Sequence, residues 1–196
     1  MKIKRALLIK LSVFVITTIL LFTIHVQANT PSNTNFENIA SKALVNLKLL
    51  VGDAQGNLNL QSNVTRCEFV TLVNRMMAYD TDEKNNSSVS VPFKDINQKH
   101  WAYNNIKIAL KYSLINGYTD NTMRPDNCVS FVEASAVVIR ALGYENNIKK
   151  KWPEGIIDKS KELGLNKNLK IPEDKLLTRG EASVLIYNAL TVSFTE

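Results

Sequence analysis

The chain has 196 residues, 45% of them hydrophobic and 21% charged, with a formal charge of +6. Four of its cations and none of its anions fall in the first 28 residues, so the remaining 168 carry only +2, too little to demand a nucleic-acid partner. Two cysteines and, beyond residue 28, a single histidine exclude a disulfide-dense scaffold and any multi-histidine metal centre.

Residues 1–28 read as a secretory signal peptide. Lys2, Lys4, Arg5 and Lys10 open it, Leu11 to Ile24 is apolar, and Val26-Gln27-Ala28 supplies small residues before the polar "NTPSNTN". The apolar run, interrupted by Thr17, Thr18 and Thr23, is short for a membrane span of about 20 residues. Export is expected, with no membrane attachment after cleavage.

Three stretches then repeat one pattern: "VTRCEFVTLVNRMM" at 64–77, "VSFVEASAVVIRAL" at 129–142 and "LTRGEASVLIYNAL" at 177–190. Thr65 with Glu68, Ser130 with Glu133 and Thr178 with Glu181 have the spacing of a capping box, in which hydroxyl and carboxylate each satisfy a helix-start amide. The apolar stripes Phe69, Leu72, Val73, Met76 and Met77, then Ala134, Val137, Val138, Ala141 and Leu142, then Ala182, Leu185, Ile186, Ala189 and Leu190, predict three helices facing one core.

A second helix precedes each of these. The middle copy is the fullest: Ile106, Ala109, Leu110 and Leu114 predict a helix near 100–114, and Gly117-Tyr118 with "TDNTMRPDN" predicts the loop that follows. Gly52 and Gly117 each lie 13 residues before the hydroxyl cap of their copy, and Trp101 and Trp152 each lie 13 before Leu114 and Leu165. The expected organisation is an all-α fold of three helix-loop-helix repeats forming a pseudo-threefold module: residues 29–79, a polar connector at 80–92, 93–145 and 146–196.

Capping explains the hydroxyl and the glutamate, but not the residue between them, which is Arg66, Phe131 and Arg179 in turn. A cation at a helix start faces the positive end of the dipole. Two readings stay open: the arginine helps the helix-start amides hold an incoming anion, or it pairs with Glu68, Glu181 or the first helix of another unit.

In order, Phe93 and Asp95, Trp101-Ala102-Tyr103, Gly117-Tyr118, Arg124-Pro125-Asp126, and the Thr-Arg-x-Glu starts at 65–68 and 178–181 resemble the S-layer homology repeat. The resemblance implies an all-α module of three repeats whose grooves hold a pyruvylated secondary cell wall polysaccharide, hence a non-catalytic, monomeric wall anchor at the cell surface. It implies ligand contacts at Arg66, Trp101, Gly117, Arg179 and Trp152, with Arg66 expected beside Trp101 and Gly117. The departures at Phe131 and Phe36 then imply that the groove of Trp152 lacks its cation and the groove of Arg179 its indole. The alternative is an assembly protein of the envelope that binds another surface protein.

No cofactor is expected. A Cys-His or Ser-His catalytic arrangement would have to use His100, and the calcium-like loop from Asp53 has Val64 where a glutamate ligand belongs. Whether Cys67 and Cys128 are bridged stays open.

Overall fold

The computed structural model describes residues 33–81 and 89–195. The expected leader and most of the expected connector lie outside those residues. Among the described residues the fold is all-α, with six α-helices and two single 3-10 turns, Tyr79–Thr81 and Glu145–Asn147. The helices are α1 (Asn33–Asn46), α2 (Arg66–Met76), α3 (Tyr103–Lys111), α4 (Phe131–Ala141), α5 (Glu154–Glu162) and α6 (Arg179–Ala189). None of them is long and apolar enough to cross a membrane.

All three predicted capping boxes form, at the starts of α2, α4 and α6. In each, the glutamate Oε2 accepts the cap residue's own amide, at 2.8 Å in Thr65, 3.0 Å in Ser130 and 2.9 Å in Thr178. Of the first helices, α3 and α5 begin without a side-chain cap. The ends of all three share another device. Lys48, Ser113 and Gly164, equivalent by position, all adopt left-handed φ of 59°, 54° and 70° and stop their helices.

The capped helices α2, α4 and α6 pack on one another pairwise, and each also takes the first helix of the next unit: α3 on α2, α5 on α4, and α1 back on α6. The packing is therefore cyclic. Just before the caps, Val64 donates to Leu177, Leu177 to Val129, and Val129 to Val64, at 2.9, 2.9 and 3.1 Å. This closed ring of three main-chain bonds joins buried residues from all three units and satisfies polar groups that no helix reaches.

The core follows the predicted stripes, from Phe69 and Val73 through Val138 to Leu185 and Ile186. Leu190 departs from the expectation. It is the C-cap of α6 and 42% exposed, whereas Leu142, the C-cap of α4, is buried. Cys67 and Cys128 are both free thiols, the first buried.

Candidate functional site

Arg66 and Arg179 do not make anion sites at their own helix starts. The amides that such a site needs are already taken: Arg66 and Cys67 donate to the carbonyls of Asn127 and Pro125, and Arg179 and Gly180 to those of Ser62 and Leu60, at 2.8–3.0 Å. Held this way against the loop of the neighbouring unit, each arginine extends its side chain to the capping glutamate of the next helix in the cycle.

Arg66 Nη1 donates to Glu133 Oε1 at 2.9 Å and Nε to the Met123 carbonyl at 3.0 Å, while the guanidinium lies 4.9 Å from the Tyr118 ring centre. Tyr118 also donates its hydroxyl to Glu133 Oε1, at 2.7 Å. Burial pushes the Glu133 carboxyl up, but the Ser130 amide, the Tyr118 hydroxyl and Arg66 outweigh it and hold it below the ordinary glutamate range. Burial in turn pushes the Tyr118 hydroxyl up. Arg179 does the same on α2, donating from Nε to Leu58 and from Nη2 to Val51, with Nη1 at 3.6 Å from Glu68 Oε1.

A groove lies at each of these crossings. The α4 groove, of 180 Å³, brings together Arg66, Gly117, Tyr118, Glu133, Arg140 and Trp152. Its counterpart on α2, of 170 Å³, gathers Val51, Glu68, Arg75, Trp101 and Arg179. Arg66 thus shares a groove with Gly117 as expected, but with Trp152 instead of Trp101, and Trp101 belongs with Arg179. The expectation that only the Arg66–Trp101 groove is complete is overturned. Both arginine grooves contain an indole, because each tryptophan stands at the start of a first helix that packs on the capped helix of the preceding unit. Each groove consequently draws on three units. Trp101 is 60% exposed and Trp152 55%, so neither ring serves mainly as core.

Gly117 has a structural reason beside its place in the groove. A Cβ there would strike the Phe93 ring, which packs across the turn.

Two groove residues were missed by the sequence reading. Arg75 and Arg140, each seven residues after a capping glutamate, donate to the carbonyls of Leu49 and Leu114 at 3.3 Å, and so close a first-helix end while bringing a second guanidinium to each groove. Their recurrence at one position in two otherwise apolar runs was the available signal; Asn188, at the third, donates likewise to Leu165.

The third crossing is built differently. Phe131 is buried, and Lys175 from the loop takes over the cationic task, pairing through Nζ with Oε1 of the buried Glu181. The missing cation is therefore replaced rather than simply absent. Phe36 meets Tyr187 edge to face, with centroids 5.8 Å apart. Beside it Glu37 is buried, and burial together with the Glu181 carboxylate pushes its carboxyl above the ordinary range.

Among the described residues the fold is all-α, and two of its three capped-helix crossings set an arginine from a neighbouring helix beside an exposed indole. Residues 92–133 match the model of the S-layer homology domain, so the chain contains an S-layer homology domain there. It is similar to the middle cell wall protein of Brevibacillus brevis, 31% identical over 155 residues, which are 79% of this chain and 14% of that protein. It is also similar to a cellulosome-anchoring protein of Acetivibrio thermocellus, 30% identical over 93 residues, 47% of this chain and 21% of the relative. An endoglucanase of a Bacillus species is 27% identical over 106 residues, 54% of this chain but only 10% of the enzyme. The chain thus spans a small fraction of these relatives' lengths, and the part it shares with the enzyme is a minor one. It is a cell-wall-associated surface protein.

Proposed function

We propose that this chain is a non-catalytic anchoring module that holds an acidic, pyruvate-bearing secondary cell wall polysaccharide in the α2 and α4 grooves. The reading rests chiefly on one observation: each groove places two guanidinium groups beside a more than half-exposed indole. A sugar ring stacks on the indole, and a ketal carboxylate meets guanidinium donors that the capping glutamate leaves over. Arg66 Nη2, for instance, has no acceptor among the described residues. In this reading residues 1–28 are removed on export, and residues 29–79, 93–145 and 146–196 are three S-layer homology repeats. Trp101, Arg179 and Arg75 serve one groove, and Trp152, Arg66, Arg140 and Gly117 the other.

Two weak sites on one polymer bind far more tightly than either alone, since the second engagement is intramolecular and adds roughly a hundredfold. The exported protein should co-sediment with purified Gram-positive-type walls and fail to do so once the secondary polymer has been stripped. Equal binding to stripped and intact walls overturns the proposal.

A further inference from the structure

Where the first turn of α2 meets the turn before α3, three side chains of different chemistry converge. Cys67 Sγ, a ring nitrogen of His100 and a carboxylate oxygen of Asp126 all lie within 4.8 Å of one another. His100 Nε2 and Asp126 Oδ1 are 3.4 Å apart, close to the edge of a tetrahedron around an ion with bonds of about 2.0 Å. The cluster is graded from inside to outside: Cys67 is buried, His100 half-buried and Asp126 exposed, so solvent reaches the thiol's neighbours over the carboxylate.

The fold does not require this set. The same backbone junction occurs three times, with Cys67, Val132 and Gly180 each donating to a loop carbonyl, of Pro125, Glu173 and Leu60 respectively. At the position of Cys67 the other two junctions have Val132 and Gly180, and at that of His100 they have Lys151 and Asn35. Both junctions close without a thiol or an imidazole, so the convergence at the first one calls for a different reason.

We propose that Cys67, His100 and Asp126 form a binding site for a thiophilic divalent cation of the zinc class. Thiolate and imidazole select Zn²⁺ or Co²⁺ over Ca²⁺, which takes oxygen ligands. Three protein ligands leave a fourth position for water on the Asp126 side. On binding, the Cys67 thiol releases its proton to solvent, and thiolate, carboxylate and dication sum to zero charge. His100 Nδ1 accepts the Ala102 amide at 3.2 Å. With the metal on Nε2 the ring proton sits on Nδ1, and that contact is given up. A bound ion ties together the start of α2, the turn that carries Trp101 and the loop before α4, of which the first and the last already meet through main-chain bonds.

The test uses the untagged exported chain, freed of metal by chelation and titrated with Co²⁺. The expected result is saturation at one equivalent with a thiolate-to-cobalt charge-transfer band, which Zn²⁺ displaces. The band disappears in Cys67→Ser and persists in Cys128→Ser, and affinity falls at least about tenfold in His100→Ala and Asp126→Asn. Zn²⁺ raises the melting temperature of the native chain and not that of Cys67→Ser. No charge-transfer band, a band unchanged in Cys67→Ser, or one lost in Cys128→Ser overturns the proposal. Circular dichroism separates loss of the ligand from loss of the fold. Should Cys67→Ser unfold, His100→Ala and Asp126→Asn decide the matter, and undiminished cobalt affinity in both overturns the site. Wall binding by the grooves is scored apart from this readout, so failure of one proposal leaves the other standing.

Discussion

Arg66, at the start of α2, donates to Oε1 of Glu133 at 2.9 Å while Oε2 of the same carboxylate caps α4 at 3.0 Å. One glutamate thus fastens its own helix and receives the neighbouring unit. Arg66 is structural as well as a groove residue. Its side chain is only 11% exposed, and Arg66→Ala should cost about 1.5–3 kcal/mol in urea unfolding, as expected for losing hydrogen bonds to a charged group. The cost should shrink in acid. The Glu133 carboxyl is held below the ordinary range, so its contribution is full above the unfolded value near ~4.3 and is lost as pH falls through the lower folded value.

Groove membership can be read from pairs. Trp101→Ala and Arg179→Ala act on one groove, Trp152→Ala and Arg66→Ala on the other. Each single change should weaken wall binding roughly tenfold, and a double change within one groove little more than a single one. A double change across grooves, such as Trp101→Ala with Trp152→Ala, should abolish co-sedimentation, because no second engagement remains. Coupling between Arg66 and Trp101 in the same binding assay would refute the pairing.

At the third crossing the sign of the pH effect reverses. Burial and then Glu181 raise the Glu37 carboxyl, with Gln61 and Lys175 opposing them. The folded state therefore holds that proton more tightly than the unfolded chain, and stability falls as pH rises from the unfolded value near ~4.3 through the raised folded one. Glu37→Gln should raise the melting temperature at pH 7 by roughly 2–4 °C, with the gain vanishing toward pH 4. Thermal scans across that range decide it.

The caps offer a control that leaves the grooves intact. Ser130→Ala and Thr178→Ala each remove one hydroxyl that accepts the amide of its N3 glutamate. Each should cost about 1 kcal/mol in denaturant unfolding with wall affinity unchanged at temperatures where the variant is folded.

What was legible in the sequence is what local chemistry dictates. The three caps follow from hydroxyl and glutamate three residues apart, and the core from stripes at helical spacing, because both are settled within one helix. The partner of each arginine is not settled there. It depends on α1 packing back on α6, so that a groove takes its arginine, its glutamate and its indole from three successive units, and a linear comparison of units pairs the wrong tryptophan with Arg66. Helix ends were also hidden: Lys48 and Ser113 hold the left-handed turn that Gly164 holds more readily, and nothing in a lysine or a serine announces it. The converging Cys67, His100 and Asp126 are 33 and 26 residues apart in the chain, spacing that matches no local metal motif.

The ring formed by Val64, Val129 and Leu177 has a consequence for how the protein comes into being. In a stacked array each new repeat can settle on the one before it, so order spreads from either end. Here the first two units leave a main-chain donor and a main-chain acceptor waiting at the centre until residue 177 arrives, and α1 waits for a helix that begins at 179. A chain emerging in sequence order therefore matures late and all at once, its slowest step the closure of a loop more than a hundred residues long.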